Sequence, residues 1–364
     1  MMRFKIRKPY SSIVIFVLTI IAIRMMGCAT VFPDEVFPHL NNFFAKFLYS
    51  ISSLFHFSVG DVFYTLIFIV GILFIIYFVR IICIKNRSEI IRIISFIFYF
   101  LTFIYLTFHL CWGFNYYKTP LKESYDIENI QLQELKNLAE IYLKKSIEDR
   151  MGVQENADGV FEFELNQNQI DSLIKTSFDV LGKEYKEIKF TNGTPPNIKK
   201  SQYSIIFSYL GVLGYYNPFT NEGQYNNEMP ATKLLFTQMH ETAHQWGFAP
   251  ENEANFIGFL IGSKSDCIEF KYVSHYMALR QILNRIVWED PKFVEQLMEK
   301  YSPGMKRDRA YEIQIQLKYN HSADDAFSML NEAYLRLNNQ EGLESYGKFV
   351  ELLVGYNRKY HNKP

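Results

Sequence analysis

In the stretch "TQMHETAHQWGFAPENEANFIGFL", residues 237 to 260, two histidines stand four apart, with a glutamate directly after the first. On a helix, residues four apart lie on one face, one turn above the other. His240 and His244 then offer two imidazoles to one ion. Neutral imidazole and carboxylate are zinc ligands, and a catalytic site keeps one position open for water. Glu241 points to the side of that ion, where a carboxylate can take a proton from water. These are the mechanics of an HExxH helix.

A third ligand must follow. Gly247 allows a sharp turn out of the helix, and Pro250 suits the first position of a new one. Glu251 and Asn255 are four apart on that second helix. Glu251 can reach the metal while Asn255 hydrogen-bonds a ligand from behind, as outer partners in such sites do. Glu253 is the rival ligand, roughly 200° around the helix from Glu251, which turns Asn255 away. Glu251 is preferred and Glu253 stays open. An ordinary exposed helix would explain the same letters, but the cluster runs straight into the apolar "FIGFLIG". A metal accounts for polar groups pressed against such a run better than solvent does.

These helices need a scaffold. The chain has 364 residues and no net charge, with 38 basic and 38 acidic side chains. The balance argues against a nucleic-acid partner, which calls for a basic excess. The four cysteines, Cys28, Cys83, Cys111 and Cys267, form no CxxC pair. That speaks against a thiolate zinc site.

Nearly all long apolar runs lie before residue 113. Residues 62 to 79, "VFYTLIFIVGILFIIYFV", and 93 to 112 are long enough to cross a bilayer core of about 30 Å. The shorter run from residue 10 spans if Arg24 snorkels outward. The organisation expected is a membrane region, 1–113, with three transmembrane helices (about 10–31, 62–84 and 93–112). An extracytoplasmic domain, 114–364, follows. A cleaved signal peptide is the alternative for the first span. "MMGC" faintly resembles a lipoprotein cleavage box, and a disulfide between Cys28 and Cys111, both near the outer face, is open as well.

Arg3, Lys5, Arg7 and Lys8 precede the first span, and Arg80, Lys85, Arg87 and Arg92 surround the second connection. The first connection carries Lys46 against Asp34, Glu35 and Asp61. The positive-inside rule puts the N-terminus in the cytoplasm and residues after 113 outside it. "FFAKFLYSISSLFHF" in the first connection reads as a short amphipathic helix in the outer interface.

Beyond residue 114, amphipathic helices are expected in "IENIQLQELKNLAEIYLKKSIEDR" and "NQNQIDSLIKTSFDVLGKEY". "TNGTPPN" reads as a turn-rich break, and "QYSIIFSYLGVLGYYNPF" as one or two strands. Helices follow residue 270, with breaks near Pro291, Pro303 and Gly342. The fold class is α+β, mainly helical, with a small sheet.

"HETAH…E-x-x-A-N" resembles the gluzincin arrangement, in which HExxH is followed by a glutamate ligand on a second helix and Asp or Asn one turn on. More closely, "GYYNPFTNEGQYNNEMP…QMHETAHQWGFAPENEANF", with "FKYVSHYMAL" and "EGLESYGKFVELL", resembles an uncharacterised family of bacterial membrane proteins. That family has a zincin-like domain and is catalogued as a domain of unknown function. The resemblance implies a zincin-like fold, metal binding by His240, His244 and a glutamate of "ENEAN", and general-base work by Glu241. It carries no substrate. Gluzincin peptidases more often have Asp where this chain has Asn255.

In zincins the strand before the active helix pairs with an extended substrate, by addition to a free sheet edge. Tyr215, Tyr216 and Asn217 are candidates for that strand. Tyr272, His275 and Tyr276 are candidates, by position, to stabilise an oxyanion. The reading is a membrane-anchored zinc metallopeptidase with one Zn2+ per chain. Its partners would be the lipid bilayer and a peptide or protein substrate in the cell envelope, with the oligomeric state open. The alternatives are a non-catalytic zinc-binding membrane scaffold or binding protein, and a zinc amide hydrolase acting on cell-wall peptides.

Overall fold

The computed structural model describes residues 10–29, 31–319 and 345–361. The basic residues at positions 3, 5, 7 and 8, and the break near Gly342, lie outside the described residues. Three helices are long and apolar enough to cross a membrane: α1 (Tyr10–Cys28), α3 (Val59–Cys83) and α4 (Arg87–Cys111). The starts of two of them are set by local caps. α3 begins where the Ser58 hydroxyl accepts from the Asp61 amide, and α4 where the Asn86 side chain accepts from that of Glu89. All four cysteines are free, so Cys28 and Cys111 are not bridged.

The first connection holds α2 (Phe37–Ser52). Its Phe37, Asn41, Ala45 and Ser52 are buried, while Phe43, Phe47 and Ile51 are exposed. The buried face is tied to the rest of the chain: Asn192 donates to Asn41, and Lys199 to the Ser52 carbonyl. The folded body therefore includes this connection and does not begin at residue 114.

The body continues with α5 (Leu132–Arg150), α6 (Gln167–Glu184), β1 (Ile198–Lys200), α7 (Ser204–Tyr209), β2 (Gly214–Asn217) and β3 (Glu222–Tyr225). Then come α8 (Ala231–Gln245), α9 (Glu251–Ser263), α10 (Ile268–Ile286), α11 (Pro291–Glu299), α12 (Pro303–Tyr319) and α13 (Ser345–Tyr360). α5 and α6 form where the periodicity places them, and α11 and α12 start on their prolines. The strand expectation needs correcting. "SIIFSY" is helical, and only Gly214–Asn217 of that stretch is strand. A short apolar run does not distinguish strand from helix. Here the Ser204 hydroxyl bonds the Ser201 carbonyl, and Gly211 at φ 69° ends the turn.

The sheet order is β1-β3-β2, with β1 parallel and β2 antiparallel to β3. β2 is thus an edge. The polar β3 has a reason: Glu222, fully buried, accepts from the Val59 and Gly60 amides and from Lys199. A carboxylate at the start of α3 is favourable against the helix dipole.

The core gathers around α9, where Phe256, Ile257, Phe259, Leu260 and Ile261 are buried among α6, α8, α10 and α13. A helix apolar on every side belongs inside. Its first turn is the exception, where Glu251 faces α8.

Candidate metal centre and cleft

α8 and α9 are joined by a tight turn at Gly247, whose φ is 98°. A Cβ there would meet Thr191 Oγ1 at 2.1 Å, so glycine is required twice over. The turn-rich "TNGTPPN" segment is buried and clamps this corner. Asn192 donates to the Gln245 carbonyl at 2.7 Å, and Trp246 Nε1 to that of Thr194 at 3.1 Å. The turn places the first residue of α9 beside the second histidine.

Glu251 Oε2 lies 3.3 Å from His240 Nε2, and its Oε1 lies 3.6 Å from His244 Nε2. The three ligand atoms all fall within 4.8 Å of one another. Tetrahedral bonds of about 2.1 Å separate ligand atoms by about 3.4 Å, so the set fits a small divalent ion. His244 Nδ1 donates to the Phe248 carbonyl at 2.7 Å, which leaves Nε2 as the free lone pair. Burial alone would lower His244, but the Glu251 carboxylate beside it holds it up at about 9. Burial would raise Glu251, yet the two imidazoles hold it well below the carboxylate range. A metal ion would take over the proton's place between them.

Glu253 does not join this group. Its Oε1 accepts from the Leu121 amide at 2.6 Å on the other side of α9, close to Lys118. Asn255 borders the same cleft as Glu251 but hydrogen-bonds neither histidine among the described residues.

Glu241 is 3% exposed, and its Oε2 has no hydrogen-bond partner among the described residues. Burial pushes its carboxyl up to about 7, against the pull of both histidines. An unpaired buried carboxyl facing a cleft needs water or a reacting proton.

The cleft has a volume of about 610 Å3. Its walls are α8, α9, α10 and the segment from Leu210 to Pro218. Tyr215 and Tyr216 border it; Asn217 does not, being buried with its Oδ1 accepting from the Phe219 amide. The Tyr215 hydroxyl donates to Asp61 at 2.8 Å and that of Tyr216 to Asn221 at 2.8 Å, so both are held in place. Along β2 the register gives Leu213, Tyr215 and Asn217 to β3. The amides and carbonyls of Gly214 and Tyr216 then point the other way, along the free edge.

Of the three residues read as oxyanion donors, two lie elsewhere. Tyr272 is fully buried and donates to Asp308, which Arg150 also grips. His275 pairs with Asp149 at 2.6 Å. Both belong to the packing of α10 on α5 and α12. Tyr276 does border the cleft, beside Arg280.

Among the lining residues that the sequence reading missed, four stand out. Trp112, just past α4, donates to the His244 carbonyl at 3.2 Å and packs on Tyr216. Lys233, Arg280 and Glu312 line the opposite end of the cleft. Their signal is the α8 and α10 face continued beyond the motif, but Glu312 comes from a helix no spacing connects to it.

Residues 37–354 match the family described as protein of unknown function DUF3810. The chain belongs to this family. Its span runs from the start of α2 into α13, across the connection between the apolar helices and the body. No curated protein and no solved structure matches the chain.

Proposed function

We propose that this DUF3810 member is a membrane-anchored, zinc-dependent metallopeptidase with a zincin-like, gluzincin-type site. It would hold one Zn2+ per chain and act outside the cytoplasm on a peptide or protein of the cell envelope. One observation carries the reading. His240, His244 and Glu251 converge from two helices while the unpaired carboxyl of Glu241 faces the same cleft. A purely structural metal site has no need of a base there.

His240, His244 and Glu251 would be the ligands, and bound zinc would polarise a carbonyl and make water more acidic. Glu241 accepts a proton from the attacking water and returns it to the leaving nitrogen. The free edge at Gly214 and Tyr216 takes an extended peptide by strand addition, holding the scissile bond over the α8 motif.

Orientation follows the charge. Arg80, Lys85, Arg87 and Arg92 sit about the turn between α3 and α4. The body packs against the opposite ends of those helices, through Asp61 and Trp112. Basic turns stay in the cytoplasm, which sends the body outside. The exposed Phe43, Phe47 and Ile51 of α2 then meet the outer interface.

The test compares parent and Glu241→Gln in cells by profiling envelope fragments. Losing the base costs about 10² to 10⁴ in rate, so fragments should appear with the parent alone. Identical fragments from both, with a shared phenotype that differs from a deletion, would replace this reading with a zinc-bearing scaffold. Fragments from cell-wall peptides instead of proteins would make it an amide hydrolase of the wall.

A further inference from the structure

Glu312, 4% exposed, gives both of its oxygens away: one to Thr232 of α8 and one to Arg280 of α10. Lys233 lines the cleft next to this group, and its side chain has no ion pair or hydrogen bond among the described residues. Among the described residues, this end of the cleft therefore holds two cations and one carboxylate, each of whose oxygens is already hydrogen-bonded. Tyr276, only 2% exposed, also lines the cleft, and its hydroxyl is without a partner among the described residues. A buried donor left unpaired is unfavourable, so this end of the cleft is built short of an acceptor. Burial lowers Lys233, with Glu312 pulling it up and Arg280 pushing it down.

We propose that Lys233, Arg280 and Tyr276 form a subsite for a carboxylate on the C-terminal side of a bound peptide. The inference rests on the peptide reading above and adds the substrate's polarity and end chemistry.

The sense of the peptide comes from β2. A Cβ on Gly214 would touch Thr237 and Glu241, so that residue lies over the middle of α8. Tyr216 packs on Trp112, which bonds the His244 carbonyl further along α8, so the residues before Gly214 lie towards the start of α8, where Lys233 stands. The antiparallel pairing is the stabler one per residue. A peptide added that way enters at Tyr216 and leaves with its C-terminus at Lys233. Lys233 is seven positions before His240, about 10.5 Å along the helix. That is about three residues of extended chain past the reacting bond. A free C-terminal carboxylate or an acidic side chain at that distance would meet both cations.

The test uses the full-length chain carrying Glu241→Gln, so that bound peptide is not cut. Fluorescein-labelled hexapeptides are prepared as free acids, as C-terminal amides, and as amides with glutamate in the last three positions. Anisotropy reads their binding. Free acids should bind about tenfold tighter than amides, the worth of one charge-assisted bond. Lys233→Met should abolish that preference without weakening the amides, and Lys233→Arg should keep it. Glutamate-bearing amides that match the acids assign the site to an acidic side chain; if they match plain amides, it reads the chain terminus. Equal binding of acids and amides, no binding of either, or a preference that survives Lys233→Met overturns the proposal. Binding is read without cleavage. A chain that prefers acids yet cuts nothing sinks the peptidase reading alone, and a peptidase indifferent to acids sinks this one alone.

Discussion

A Cβ placed on Gly214 would stand 2.7 Å from Oε1 of Glu241. The edge strand thus rests on the residue proposed as base, with no room for a side chain between them. Gly214→Ala must push one of the two aside. Overpacking of this kind costs about 1–3 kcal/mol. The variant should melt below the parent and yield fewer envelope fragments, while its zinc content stays at the parent level. Equal melting and equal cleavage would mean that β2 does not press on the carboxyl.

Metal content separates the two glutamates. The purified chain should hold about one zinc. His244→Ala and Glu251→Ala should lose most of it. Glu253→Gln should keep it, because that carboxyl is turned to the Leu121 amide. Elemental analysis after exposure to a chelator decides the matter. Zinc retained by Glu251→Ala but lost by Glu253→Gln would reverse the ligand assignment.

Topology has its own readout. A reporter fused after residue 118 should behave as extracytoplasmic, and one fused in the turn at Lys85 as cytoplasmic. The same signal from both fusions would mean that α4 does not cross.

What the sequence makes legible is local. HExxH, Pro250 at the start of α9 and the helical period together place Glu251 near the two histidines without any tertiary information. The three apolar helices are legible for the same reason. What is not legible depends on distant partners. β3 shows no alternation of apolar residues because Glu222 and Gln224 serve the start of α3, more than a hundred residues earlier in the chain. Tyr272 and Tyr276 are equally placed by spacing, four apart on one helix. Only Asp308 of α12 shows that the first is pinned in the core. The cluster at Lys233 escapes for the same reason, since Glu312 joins it from a helix with no motif. The break at "TNGTPPN" is visible as a turn, but its grip on the end of α8 is not.

The last expectation concerns where the folded unit begins. Composition places a boundary near residue 113, which invites expression of residues 114–364 alone. Asp61, 1% exposed in the first turn of α3, argues against it. Its carboxylate accepts from the Gln202 amide at 2.7 Å, the Tyr215 hydroxyl at 2.8 Å and the Ser201 hydroxyl at 3.0 Å. Cutting the chain at 114 removes that acceptor and leaves three donors behind, each costing about 1–3 kcal/mol if still buried. It also frees Glu222, whose partners at Val59 and Gly60 are gone. The losses fall on β2 and β3, the strands that cover Glu241. The truncated protein should therefore lose cooperative unfolding or aggregate, whereas the full chain in detergent should melt in one transition. Asp61→Ala in the full chain is the milder version. It should lower the melting temperature and reduce cleavage more than zinc content, because the ligand helices are untouched. A stable 114–364 fragment with full zinc and a parent-like melt would show that the membrane region and the body are separable after all.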